Sequence, residues 1–291
     1  MATTSNDQGR ALEYCLANVL LTQLPCQIHD IKTQLDQQRD QLRFQGLPAA
    51  TQTYYQQQCQ KVARWIGQNR MLRLTPPLTL RRLTDEEATQ GNPTDIEIRS
   101  GDQCYNVSLK HNHHAVKHQR PASLYAQLGI VNPTEEQYYR DSIKVIETRF
   151  YQQASTLPLQ ALEFNQVKSH APAVIDQLYQ SICQHVAATL NQHTQQARYF
   201  FAFLVGNTAF DKIIITSSGV EILHFYQITA PTTMQASLQG NNYILLTFDN
   251  QFTFRMRIHT ASSRFEYGKA LSLKFDTQST GQAPIFTTRL P

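Results

Sequence analysis

Between Pro93 and His114 the chain reads PTDIEIRSGDQCYNVSLKHNHH. Two alternating runs flank Gly101-Asp102, which is the pattern of a β-hairpin. With those two residues as the turn, Ser100 faces Gln103, Glu97 faces Asn106 and Asp95 faces Ser108. Opposed residues, and alternate residues along one strand, share a face of the pair. Asp95, Glu97, Asn106, Ser108 and Lys110 therefore project to one side. Ile96, Ile98, Tyr105, Val107 and Leu109 project to the other. The polar side has a chemical use. One or two carboxylates can hold a divalent ion, and a nearby ammonium can hold an attacking water against a phosphodiester. An amphipathic hairpin with a solvated polar face would carry the same letters, and the pattern alone leaves both readings open.

The strand leads into KHNHHAVKHQR, residues 110–120. His111 and His113 would share a strand face, as a transition-metal site requires, but no second histidine cluster stands at finger-like spacing. The letters His111-Asn112-His113 match the name of the HNH nucleases by coincidence, because that fold spreads its residues over a hairpin and a helix. The favoured reading is a DNA-contacting loop: His111, Asn112, His113, His114, Lys117, His118 and Arg120 can all meet phosphates or bases. A second basic stretch is FRMRIHTASSRF, residues 254–265. There Arg255, Arg257 and His259 alternate with Phe254, Met256 and Ile258. A basic stripe on one face of a sheet suits a DNA footprint, with Ser262, Ser263 and Arg264 in the following turn. A solvated loop and a solvated strand are the competing readings.

Both stretches must be positioned by regular elements. Leu12, Cys15, Leu16, Val19 and Leu20 fall on one helical stripe. Residues 27–45 repeat Ile28, Ile31, Leu35 and Leu42, and residues 51–69 repeat Tyr55, Cys59, Val62 and Ile66, so the chain is expected to be helical up to Arg70. Pro76-Pro77 opens extended structure, and a polar loop over 84–94 precedes the hairpin. The helical period returns over 122–195, cut by Pro133, Pro158 and Pro172, and the rest is strand-like. The expected fold is α/β of the α+β kind, a mixed sheet flanked by helices with a β-rich C-terminal part. The expected division is 1–195 for the helical part with the catalytic hairpin and 196–291 for the β-rich part.

Composition narrows the classes. The 291 residues are 41% hydrophobic, enough for a proper core and against wholesale disorder. A net charge of +4 with ten histidines is a mild bias toward anionic partners, not a histone-like surplus. Five cysteines, an odd count without CxxC, read as reduced thiols and not as a disulfide frame or zinc knuckle. Residues 1–10 are polar, and no segment has the apolar length of a membrane helix, so the cytoplasm is the expected location.

Asp95, followed thirteen positions later by Ser108-Leu109-Lys110, resembles the PD-(D/E)xK nuclease core, in which an acid begins one strand and a (D/E)xK triplet lies on its neighbour. GRALEYCLANVL (9–20), VSLKHNHHAVKHQRP (107–121) and FRMRIHTASSRFE…LSLKFD (254–276) resemble type II restriction endonucleases of the HaeIII family. That resemblance implies Mg²⁺-dependent, site-specific hydrolysis of double-stranded DNA. Water would attack phosphorus in line, leaving 5′-phosphate and 3′-hydroxyl ends, and the site would be GGCC cut centrally to blunt ends. It implies a cognate DNA methyltransferase as functional partner. A palindromic site is compatible with a homodimer, although monomers can cut both strands in turn. By the same resemblance Asp95 binds the metal, Lys110 positions or activates the water, and the Leu109 carbonyl is a further ligand. Ser108 departs from the pattern, since the triplet wants an acid there. Glu13, in an N-terminal helix, and Glu97, on the Asp95 face, are the candidate replacements, ahead of Glu135 and Glu136. The same gap keeps alive an inactive DNA-binding protein on a nuclease fold, with a histidine-based metal protein as a third class.

Overall fold

The computed structural model describes residues 5–71, 76–83, 92–112, 115–280 and 285–290. Its helices are α1 (Ser5–Gln23), α2 (Ile31–Gln45), α3 (Ala49–Asn69), α4 (Leu124–Gln127), α5 (Pro133–Ala154), α6 (Phe164–His170), α7 (Pro172–Gln192) and α8 (Ala197–Val205). The strands are β1 (Cys26–Ile28), β2 (Leu78–Arg82), β3 (Ile96–Ser100), β4 (Gln103–His111), β5 (Ala115–Gln119) and β6 (Phe210–Thr216). They continue with β7 (Gly219–Phe225), β8 (Met234–Gln239), β9 (Tyr243–Phe248), β10 (Thr253–Thr260), β11 (Leu273–Thr280) and β12 (Phe286–Leu290).

The chain forms two compact units. One takes Met1–His114, Gly206–Ile228 and Ile285–Pro291; the other takes Ala115–Val205 and Thr229–Pro284. This division differs from the boundary at 195 expected from the sequence. Strand pairing is the reason: β4 finds its parallel partner in β6, far along the chain, so the chain leaves the first sheet after β4 and returns to it. A parallel pair needs a long crossover, and here that crossover is part of another unit.

The first unit holds a seven-stranded mixed sheet in the order β1-β2-β3-β4-β6-β7-β12. The expected α1 and α3 stripes are buried against Ile96, Ile98, Tyr105, Val107 and Leu109 of the hairpin. The hairpin has the register read from its turn, with Glu97 opposite Asn106 and Ser100 opposite Gln103. Gly101 takes φ +56°, which a side chain would oppose.

The segment 26–45 corrects the helical reading. Cys26–Ile28 is a strand, β1, parallel to β2. The α2 stripe expected to face the core is exposed, with Ile31 at 75%, Leu35 at 59% and Leu42 at 71%. Thr33, Gln37, Asp40 and Phe44 face inward instead. The cause is Arg82, only 1% exposed at the end of β2. Its guanidinium donates to Asp40 Oδ2 at 2.8 Å, Gln37 Oε1 at 3.0 Å and Glu13 Oε2 at 2.8 Å. A buried cation without acceptors costs several kcal/mol, so it draws the polar side of the helix inward against the ordinary amphipathic preference.

The second unit holds a five-stranded antiparallel sheet in the order β5-β11-β10-β9-β8. Phe248, Phe254, Met256, Ile258 and Phe275 are buried on one face, and α7 packs against β8, β9 and β10. Asn191 of α7 docks on β8 by a reciprocal pair of hydrogen bonds with the Ala236 main chain, at 2.9 and 2.8 Å. The architecture is thus mixed α/β, compatible with the α+β class expected.

Candidate active site

Asp95 sits just before β3, tied by its backbone to both neighbours. Its N–H donates to the Val107 carbonyl at 2.7 Å, and its carbonyl accepts from Leu83 N–H at 3.0 Å. The side chain meets the SLK triplet directly. Asp95 Oδ2 accepts from Leu109 N–H at 2.6 Å, Lys110 Nζ at 3.1 Å and Ser108 Oγ at 3.3 Å. Three donors from successive residues of β4 converge on one carboxylate oxygen. Both charged side chains stay within reach of solvent, Asp95 at 20% and Lys110 at 34% exposure.

Of the two replacement acids, the structure brings Glu13 toward this group. Glu13 receives Arg82 at 2.8 Å and Arg10 at 3.1 Å. Burial raises its pKa, and the negative charge of Asp95 raises it further, against the opposing pull of Arg82 and Arg10. Two carboxylates that disfavour each other's charge form a place where a cation is welcome. Glu97 shares the Asp95 face by strand alternation but is committed elsewhere. It is buried, bound by Arg99 and 3.9 Å from Arg81. Glu135 and Glu136 begin α5 in the other unit.

Sequence reasoning missed Lys212. It stands opposite Ser108 in the parallel β4–β6 register, on the face that carries Ser108 and Lys110, and is 3% exposed. Burial pushes its pKa down to about 7; the charge of Lys110 adds to the effect, and Asp95 and Glu221 oppose it. A lysine opening the apolar run KIII was the available signal. Asp211, also missed, lies on the opposite face. It is buried and bound by Arg70 Nε at 2.8 Å, His224 Nδ1 at 2.6 Å and Tyr105 Oη at 2.7 Å. Its acceptor capacity is spent, so it reads as a structural ion cluster.

Among the described residues no three His, Cys, Asp or Glu side chains gather as a metal cluster. An ion at Asp95 would therefore rest on that carboxylate, Glu13 and a main-chain oxygen such as that of Leu109, which is within the modest demands of Mg²⁺. His111 packs edge-on against Tyr55, with centroids 5.3 Å apart, and Asn112 is exposed beside it. His113 and His114 lie outside the described residues.

The second unit carries the other basic group. Arg255, Arg257 and His259 face away from buried Phe254, Met256 and Ile258, as their alternation requires. Arg255 lies 4.7 Å from the Tyr243 ring centroid. Asp276 of β11, which the sequence did not single out, lies among them: 2.5 Å from His118 Nδ1, 2.9 Å from His259 Nε2 and 3.3 Å from an Arg257 nitrogen. Lys117 has the opposite strand parity from His118 and lies 5.0 Å from the Phe203 ring. Arg120 is exposed, as are Ser263 and Arg264; Ser262 accepts the Arg264 N–H at 3.2 Å, and Arg264 Nε reaches Glu163 at 3.2 Å.

Comparison with known proteins adds one finding. The family model described as HaeIII restriction endonuclease matches residues 9–239 of the chain, a span that takes in Glu13, Asp95, the SLK triplet and Lys212 and ends before β10. No curated protein and no solved structure matches it.

Proposed function

The chain belongs to the HaeIII restriction endonuclease family, whose members are site-specific DNA-cleaving hydrolases, and we propose that it cuts double-stranded DNA through a PD-(D/E)xK-type centre built on Asp95 and Lys110. The supporting observation is the convergence of Ser108 Oγ, Leu109 N–H and Lys110 Nζ on Asp95 Oδ2. Asp95, Glu13 and the Leu109 carbonyl would hold Mg²⁺. Bound there, the ion would supply positive charge against the scissile phosphate and make nearby water more acidic. Asp95 orients Lys110 through their 3.1 Å contact. Lys110 holds the attacking water in line with phosphorus and donates toward the charge that builds on the phosphate oxygens. The water oxygen bonds to phosphorus as the bond to O3′ breaks. A proton leaves the water and O3′ gains one, giving 5′-phosphate and 3′-hydroxyl ends. By family likeness the site is GGCC, cut to blunt ends, with a methyltransferase guarding the same sequence and a homodimer matching its symmetry. Among the described residues no helix is long and apolar enough to cross a membrane; a cytoplasmic location belongs to the same proposal.

Unmethylated phage DNA incubated with the protein, with Mg²⁺ or with EDTA, tests the reading once the ends are sequenced. Discrete Mg²⁺-dependent fragments support it. DNA that is bound but uncut under all conditions supports instead the second reading, a binding protein on a nuclease fold, which Ser108 keeps open.

The two candidate acids separate cleanly. Glu13→Gln is expected to slow cleavage about a hundredfold, because it removes a carboxylate from the ion's surroundings. Glu97→Gln is expected to slow it by only about threefold, since Glu97 is held by arginines. Single-turnover rates at saturating Mg²⁺ decide this, and equal losses would remove Glu13 from its role.

His111, Asn112, His113, His114, Lys117, His118, Arg120, Arg255, Arg257, His259, Ser262, Ser263 and Arg264 remain the proposed DNA contacts, with Lys117 the weakest by its parity. Arg255→Ala is expected to weaken DNA binding roughly tenfold and to reduce the slope of log affinity against log salt by about one, as loss of a phosphate contact does. An unchanged slope in a filter-binding salt series would take Arg255 off the interface.

A further inference from the structure

The second unit contains a cavity of about 450 Å³ that the reading above does not use. It lies among α4, the start of α5 and the end of α7. The volume is that of an ordinary small-molecule site. Five rings line it: Tyr125, Tyr138, Tyr139, His185 and His193. Glu135 is the acid beside them, and among the described residues no lysine or arginine shares the lining. Glu135, Tyr138 and Tyr139 stand at i, i+3 and i+4 of α5, so one helix face carries the carboxylate and two of the rings.

The rings are held by their polar ends. Tyr139 Oη donates to the Pro121 carbonyl at 2.7 Å, Tyr125 Oη lies 3.4 Å from His193 Nε2, and His185 Nε2 lies 3.2 Å from the Tyr139 carbonyl. Tyr139 and His185 stack with centroids 4.6 Å apart, and Tyr125 meets Tyr139 at 5.4 Å. Tyr138 lines the same cavity yet is 71% exposed, so packing does not account for its ring. The two neighbouring acids differ. Glu136 is paired with Arg140, whereas Glu135 makes no ion pair among the described residues. The Asn132 cap fixes the place of Glu135 by accepting its main-chain N–H at 3.2 Å. The charge reaches the rings: the Tyr125 hydroxyl pKa is raised by burial first, and then by Glu135 and Glu136.

We propose that this cavity binds a small, free quaternary ammonium ion of the choline type. Aromatic faces carry negative potential and attract a cation held over them, and a nearby carboxylate adds to the attraction. A methylated ammonium has no N–H to satisfy, so rings whose hydroxyls are already engaged serve it well. A primary ammonium would bring three donors that ring faces do not meet. Mg²⁺ or Ca²⁺ would need several oxygen ligands, and Glu135 is the one carboxylate in the lining among the described residues. A phosphate would face Glu135 with no cationic side chain there to receive it. The inference is independent of Asp95 and Lys110, and it stands whether or not those residues cut DNA.

Saturation-transfer NMR titration of the whole protein with choline tests this, with 3,3-dimethylbutan-1-ol as a control of the same shape that carries carbon in place of the charged nitrogen. Choline is expected to bind about tenfold more tightly than the alcohol, or better. Tyr138→Leu keeps apolar bulk and removes a ring; Glu135→Gln keeps the shape and removes the charge. Both side chains are exposed, so both variants should fold. Each is expected to weaken choline binding by about threefold to tenfold, and Glu135→Gln should leave the alcohol within about twofold of its native affinity. Absence of choline binding, equal affinity for choline and the alcohol, or native choline affinity in both variants would overturn the proposal. A peptide bearing trimethyllysine presents the same head on a chain. If it bound more than about tenfold tighter than choline, the assignment to a free amine would be overturned in favour of a partner's side chain.

Discussion

Asp95→Asn and Lys110→Met are each expected to slow DNA cleavage about a thousandfold or more while changing DNA affinity by only a few-fold. The two side chains share one oxygen contact, Lys110 Nζ to Asp95 Oδ2 at 3.1 Å, so either change disturbs the other group as well. Residues that act as a unit are not additive, and the double variant should be little worse than the single ones. Asparagine keeps an oxygen to accept Leu109 N–H and Ser108 Oγ, so the hairpin should persist with a loss of about 1–2 kcal/mol. Affinity measured in Ca²⁺ by gel shift, together with single-turnover cleavage in Mg²⁺, checks both halves of the expectation. If either variant cuts within about tenfold of the native rate, Asp95 and Lys110 are not the reacting pair.

The same neighbourhood explains why the helical layer is built around charge. Glu13 comes from α1, Asp40 and Gln37 from α2, and Arg82 gathers all three at the end of β2. One of those partners, Glu13, also answers electrostatically to Asp95. On the proposed reading of Glu13 as a metal ligand, a buried, fully bonded arginine would hold that carboxylate in place independently of the ion. The outward turn of Ile31, Leu35 and Leu42 follows from the polar side of α2 being drawn inward by Arg82.

That consequence also marks the limit of what the sequence made legible. The hairpin could be read because its information is local: two alternating runs, a two-residue turn and a fixed pleat determine which residues meet, and Asp95 does meet Ser108. The α1 and α3 stripes could be read for the same reason. The inner face of α2 could not, because it is dictated by Arg82, which lies 42 positions beyond Asp40 in the chain. Hydrophobic periodicity reports the cheapest face to bury and is overruled where a buried charge needs partners. Lys212 and Asp276 were hidden by distance along the chain. Lys212 reaches Ser108 only through a crossover between parallel strands, and Asp276 reaches His118 only through the β11–β5 pairing. The unit boundary was missed on the same account, since the β4–β6 pair has no local signature.

Lys212→Met is expected to stabilise the protein by on the order of 4 kcal/mol at neutral pH and below. The lysine's pKa falls from an ordinary 10.5 to about 7 in the folded chain, chiefly because burial disfavours its charge. Between pH 7 and 10.5 the unfolded chain binds a proton at this residue that the folded chain has released, so stability rises with pH across that window. Below pH 7 both states carry the proton and the full cost of the buried charge remains. The methionine variant, of similar length and without charge, should lose this contribution to the pH slope and gain most at the acidic end. Urea denaturation of both proteins at pH 6, 7, 8 and 9 (roughly even steps across the window) measures the difference directly. Parallel pH profiles would mean that Lys212 keeps an ordinary lysine pKa in the folded state. A gain in stability that comes with slower cleavage would show that the fold carries an unfavourable buried lysine for the sake of the site, the trade that active sites commonly make. A gain in stability with unchanged cleavage would leave the lysine without that role.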